Sequence, residues 1–180
     1  MAQKRQKGFT LVEILVVTAV IAIISSIMIV NWRKNEGQYQ LQRAAQEIAQ
    51  TIRKAQDYAL SGNRMFWSPT GEWVVPRYYG VHFERDNPTF FIYGDWIGNE
   101  GYQNPEDIQE TYVTLETGIQ FDSFGGGNTL DIMFNLPDGI TSFSKSGDYV
   151  TITIKRTGKT CPSVYCRNII VRKTGEVVIQ

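Results

Sequence analysis

The segment "KGFTLVEILVV", Lys7 to Val17, constrains this 180-residue chain more than any other. From Ile14 to Val30 the chain is apolar except for Thr18, Ser25 and Ser26. With Phe9 to Val12 added, the run is long enough to cross a hydrocarbon core of about 30 Å at roughly 1.5 Å per helical residue. One carboxylate, Glu13, lies inside it. An ionised carboxylate in a bilayer costs about 2.5 kcal/mol or more, so Glu13 must sit near an interface or have a cationic partner. Ahead of the run, Lys4, Arg5 and Lys7 supply three positive charges and no negative one, which keeps this end cytoplasmic and sends the rest of the chain outward. A secretory signal would carry its small-residue cleavage site beyond the apolar region. Here the apolar run is longer than such a signal needs and leads into the polar "NWRKNEGQYQLQR", while the small residue, Gly8, stands before it.

The string Lys7-Gly8-Phe9-Thr10-Leu11-Val12-Glu13 resembles the type III signal of type IV pilins and type II secretion pseudopilins. The resemblance implies that a prepilin peptidase cuts the Gly8–Phe9 bond on the cytoplasmic side and N-methylates Phe9. Residues 1–8 are then a leader peptide, and Phe9, Thr10 and Glu13 act in subunit assembly. Glu13 becomes the fifth residue of the mature chain, where the family's glutamate neutralises the N-terminal amine of a neighbouring subunit. Opposite charges attract strongly in a low dielectric, but desolvation offsets much of the gain, so such a pair sets axial register rather than stability. The implied partners are other pilin or pseudopilin subunits, the prepilin peptidase, an assembly platform with its ATPase, and the inner membrane. The N-terminus would be cytoplasmic and the C-terminal domain periplasmic or extracellular. No enzyme activity and no cofactor are implied. Many relatives carry a proline near the end of the apolar stretch; here the first proline is Pro69, which predicts a straighter helix.

Leu41, Ala44, Ala45, Ile48, Ile52, Ala55 and Ala59 recur at three- and four-residue spacing among polar side chains, and Gly62 suits a helix C-cap. The helix is therefore expected over 9–61, transmembrane over about 9–30 and amphipathic afterwards. An amphipathic helix needs a cover for its apolar stripe, so residues 62–180 should form a β-rich domain packed against it. Seven strand candidates fall at "RYYGVHFE", "TFFIYG", "YVTLETGIQF", "TLDIMFN", "DYVTITIKR", "RNIIVRK" and "EVVIQ", separated by turn signals such as "FGGGN", "LPDG" and "KTGE". The expected class is α+β with an antiparallel sheet. The ending "CRNIIVRKTGEVVIQ", with "GIQF" and "FGGGN" before it, resembles the GspH/FimT-type minor pseudopilins and minor pilins.

Cys161 and Cys166 are the only cysteines and both lie in the domain expected outside the cytoplasm, where a disulfide can form. A metal site is the alternative reading, poorer because four ligands are wanted and the single histidine, His82, is distant in sequence. His82 alternates with apolar neighbours and reads as a sheet-surface residue without a role. "FGGGN" lacks the lysine and following helix of a phosphate-binding loop and reads as a turn. With one histidine, no nucleophile and base are singled out. Asp95, Glu100, Glu106 and Asp107 lie in an acidic loop that lacks the alternating oxygen ligands of a calcium-binding loop, and solvation is the default. The aromatics from Phe66 to Tyr102 are expected mostly in the core, with any exposed Trp or Tyr a candidate subunit contact.

Removing Lys4, Arg5 and Lys7 leaves 15 basic and 18 acidic residues, a net of −3, which does not suggest general nucleic-acid binding. From Lys155 to Lys173, however, Lys155, Arg156, Lys159, Arg167, Arg172 and Lys173 occur with no acid among them. Since some FimT-like minor pilins bind DNA through a basic C-terminal region, a DNA-binding minor pilin of an uptake system is the alternative function. A third reading is a single-pass membrane-tethered binding domain.

Overall fold

The computed structural model describes residues 10–67, 70–98, 101–103 and 107–180, and within them the side chains other than those of 28–35, 108 and 109. It has an α+β architecture of one helix and antiparallel sheets. Helix α1 (Leu11–Ser61) precedes β1 (Met65–Trp67), β2 (Glu72–Val74), β3 (Tyr78–Glu84), β4 (Thr89–Asp95), β5 (Ile108–Thr114), β6 (Ile119–Ser123), β7 (Thr129–Asn135), β8 (Thr141–Phe143), β9 (Tyr149–Arg156), β10 (Cys166–Arg172) and β11 (Val177–Ile179). The chain divides into two compact units, Met1–Gly37 and Gln38–Gln180.

Both ends of α1 are held by local hydrogen bonds. At the start, the Glu13 amide donates to Thr10 Oγ1 at 3.2 Å, while the Thr10 amide points back at Glu13 Oε2 at 3.5 Å. This reciprocal arrangement is a capping box, which satisfies amides that the first helical turn leaves free. At the other end Gly62 takes φ +60°, and the Asn63 amide reaches the Tyr58 carbonyl at 3.1 Å, the Schellman closure that a residue with a Cβ would adopt only under strain.

In the second unit, Leu41, Ala44, Ala45, Ile48, Ile52, Ala55 and Ala59 are all buried, the stripe expected from their spacing. These residues share one hydrophobic core with the strands that cover them. That cover is two sheets rather than the single one expected: β5-β4-β3-β7-β8 and β11-β10-β9-β6, with β1 and β2 a separate hairpin. Among the described residues eleven strands replace the seven candidates. The candidate "YVTLETGIQF" is divided between the two sheets, because Gly118 (φ +92°) turns the chain between β5 and β6. The strands β1, β2 and β8, three residues each, were not foreseen.

An aromatic cluster joins the sheets. The Phe83 ring lies 5.2 Å from Phe90, 5.7 Å from Phe121 and 6.2 Å from Phe124, so β3 and β4 meet β6 through side chains rather than hydrogen bonds. Of the aromatics between Phe66 and Tyr102, only Tyr79, Phe83, Phe90 and Tyr93 are fully buried, whereas Phe66, Trp73 and Trp96 are exposed. Part of the shortfall against expectation arises because the β1–β2 hairpin packs only one face, with Met65 inside and Phe66 and Trp73 paired outside. Cys161 and Cys166 are joined by a disulfide of 2.02 Å. Closing so short a loop contributes about 2 kcal/mol in the chain-entropy description.

Buried tyrosines make the domain sensitive to alkali. Tyr79 donates its phenol proton to the Asn63 carbonyl, and burial followed by the Glu110 charge pushes its pKa up to about 12. Because the folded value lies above the unfolded one, the associated stability is complete below pH 10.0 and is lost as pH rises toward about 12. The urea midpoint of the detergent-solubilised chain should therefore fall across that window. Tyr79→Phe should flatten part of the fall, and an unchanged slope would remove Tyr79 as its source.

Candidate functional site

The N-terminal part of α1 presents an apolar surface. Leu11, Val12, Ile14, Leu15, Val16, Val17, Val20, Ile21, Ile23, Ile24 and Ile27 all expose half or nearly half of their surface or more, from 48% at Val20 to 80% at Leu11. Two of the polar side chains among them turn inward on the helix: Thr18 donates to the Leu15 carbonyl at 2.9 Å and Ser26 to the Ala22 carbonyl at 2.7 Å. Hydroxyls bonded to their own helix present no unsatisfied donor to a surface without water. Glu13 carries the only charge between Thr10 and Ile27. Gly8 and Phe9, the expected scissile pair, lie outside the described residues, as do Lys4, Arg5 and Lys7. Among the described residues no helix is long and apolar enough to cross a membrane. The described side chains of the apolar run stop at Ile27, short of Val30 where the run ends in the sequence.

The capping role of Thr10 and Glu13 was missed at the level of sequence, although T-x-x-E ahead of an apolar run is its signature. It gives Glu13 a place within its own chain. Its carboxylate is held over the first turn, where the positive end of the helix dipole favours it.

Five of the six basic residues of the C-terminal segment are each engaged locally, and Arg156 ends β9 opposite Ile119. Lys155 pairs with Asp122 at 2.5 Å, Arg172 with Glu176 at 3.2 Å and Lys173 with Asp148 at 3.5 Å. Lys159 lies over the Tyr165 ring at 5.1 Å, and Arg167 donates to the Cys166 carbonyl at 2.8 Å. Strand register separates them further. Arg167 stands opposite Ile154 on the core-facing side of β10, while Lys155 and Arg172 are on the other face at opposite ends of the β9–β10 pair. Charges already matched by acids or carbonyls release few counterions from a phosphate backbone. Reversing Arg167, Arg172 and Lys173 together should consequently leave duplex binding undetectable at physiological salt, as in the parent. It should change stability by no more than about 0.5 kcal/mol per site. A salt-sensitive micromolar complex with the parent protein would reverse this expectation.

His82 is not the bland surface residue expected. It sits opposite Asp131 in the β3–β7 register, its Nδ1 lies 2.7 Å from Asp131 Oδ1, and its ring contacts Phe91 and Tyr102. The pairing requires two residues 49 positions apart, a relation that local alternation does not carry. Tyr93 lies nearby, its pKa raised by burial and then by Asp131, Asp107 and Asp95. Asp95 accepts the Gly98 amide and Asp107 the Gln103 amide, each at 2.6 Å, so these carboxylates shape the loop between β4 and β5. Glu100 and Glu106 lie outside the described residues. Among the described residues no group of three or more His, Cys, Asp or Glu side chains is placed to hold a metal.

Residues 3–29 match the family described as the prokaryotic N-terminal methylation motif. Two curated proteins of Pseudomonas aeruginosa, both named "Fimbrial protein", are 34% identical to this chain over 67 residues, which is 37% of this chain and 44% of each relative. The chain thus matches less than half the length of those relatives. No solved structure matches. The methylation motif and the fimbrial relatives together support a type IV pilin-family protein.

Proposed function

We propose that this chain is a structural subunit, a prepilin-like minor pilin or pseudopilin that assembles into a type IV pilus-like filament or a type II secretion pseudopilus. The observation that carries the reading is the exposed apolar surface of α1 from Leu11 to Ile27 with Glu13 as its one charge. Such a surface needs lipid before assembly and other helices after it, since a contiguous apolar area this large is not stable in water. In this reading prepilin peptidase cuts between Gly8 and Phe9 and methylates Phe9, and the chain waits in the inner membrane with its N-terminus cytoplasmic. A platform protein and ATPase then supply the work of extraction. The chain itself performs no chemistry.

Mass spectrometry of the mature protein tests this directly. Phe9 should be the first residue, carrying one methyl group, and Gly8→Val should leave an uncleaved precursor because a Cβ obstructs close backbone approach in the peptidase. A mature terminus near Asn31, as a conventional signal peptidase would leave, would overturn the assignment.

A further inference from the structure

The turn "FGGGN", residues 124–128, has no place in the filament reading and has an unusual occupant. Gly125, Gly126 and Gly127 all take positive φ, at +72°, +118° and +75°, a run open only to glycine. The effect is to turn the Phe124 and Gly126 carbonyls toward one point, and the Lys145 ammonium sits there. It donates to the Phe124 carbonyl at 2.9 Å and to the Gly126 carbonyl, and lies 5.6 Å from the centre of the Phe124 ring. Among the described residues Lys145 forms no ion pair, so carbonyl dipoles and a ring face are what balance its charge. Burial lowers its pKa, the sign of an ammonium drawn out of water.

We propose that the turn 124–128 is an ammonium-binding site that the chain fills with its own Lys145, and that this bond is the clasp between the two sheets. Topology supplies the second half of the argument. The turn carries the chain from β6 in the four-stranded sheet to β7 in the five-stranded one, and residues 144–148 carry it back from β8 to β9. Lys145 therefore ties one sheet-to-sheet crossing to the other. A cavity of about 390 Å³ beside it, lined by Phe124, Gly125, Lys145, Gly147, Tyr149 and Val150 among others, opens the site to small solutes.

Lys145→Ala deletes the atoms that propylammonium would replace, which makes the proposal testable by chemical rescue. Hydrogen exchange of the full chain in detergent micelles would be read at Arg85, Ser144 and Lys173, whose amides bond to Asn128, Asp131 and Asp148 around the two crossings. Exchange there should accelerate about tenfold or more, as for the loss of two hydrogen bonds from a charged donor, with the amides of Ile48 and Ile52 unchanged. Propylammonium should restore slow exchange and propanol should not. Lys145→Met, which keeps the apolar stem, should behave like the alanine variant without ligand. Wild-type exchange in either variant, acceleration spread equally into α1, failure of propylammonium to rescue, or equal rescue by propanol would each overturn the clasp.

Discussion

Replacing Glu13 with leucine is expected to leave the precursor processed to Phe9 and yet keep it out of filaments. The fall in filament-associated protein relative to the membrane pool should be about tenfold or more, or about 1.4 kcal/mol per subunit. In the single chain the Glu13 carboxylate lies 3.5 Å from the Thr10 amide, a long contact that is cheap to give up. In the proposed assembly a neighbouring chain's N-terminal amine would offer a full opposite charge in a medium where attraction is scarcely screened. Glu13→Gln separates the two roles, because glutamine also serves at this position of a capping box but brings no charge. If charge sets the register, the glutamine variant fails as leucine does. Normal assembly of Glu13→Gln would make helix capping the whole contribution of this residue, and normal assembly of Glu13→Leu would leave it without a role in assembly.

Gly80→Ala is expected to destabilise the β-rich unit by about 3 kcal/mol, the upper range for forcing extra volume into a packed site. Gly80 faces Tyr93 across the β3–β4 pair, and a Cβ there would stand 2.4 Å from Tyr93 Cζ and 2.6 Å from its Oη. The ring cannot swing clear. It is fully buried, and its other side meets Tyr102 at a centroid distance of 5.4 Å. Glycine here is a space requirement rather than a conformational one, since it allows an aromatic ring to lie flat on the neighbouring strand. Chemical denaturation of the full chain in detergent should show the midpoint falling. The double variant Gly80→Ala/Tyr93→Leu should recover part of the loss, and an equal loss in both would place the strain elsewhere.

Much of this was legible locally. The apolar alternation of "RYYGVHFE" and "DYVTITIKR" marks β3 and β9 to within a residue, and in β9 one face is buried and the other is not. The three- and four-residue spacing from Leu41 to Ala59 likewise marks the covered face of α1, since a helix 3.6 residues per turn repeats its face at that interval. At the candidate site the motif Gly8-Phe9-x-x-x-Glu13 was plain, whereas the reciprocal bond between Thr10 and Glu13 was overlooked despite its own signature.

The expected compartment favoured a Cys161–Cys166 bridge over a metal site without deciding it, and the glycine-rich turns fall where their residues stand in the chain. These properties are set within a few residues, so the one-dimensional order carries them. Which sheet a strand joins is different. The division of "YVTLETGIQF" between two sheets, the pairing of His82 with Asp131, the ring of Tyr93 over Gly80 and the ammonium of Lys145 in the 124–128 turn all join residues far apart in the chain. Each depends on which surfaces meet once the apolar faces of α1 and both sheets are buried together. That choice is made by shape and volume in three dimensions, to which the local period of any one segment is blind.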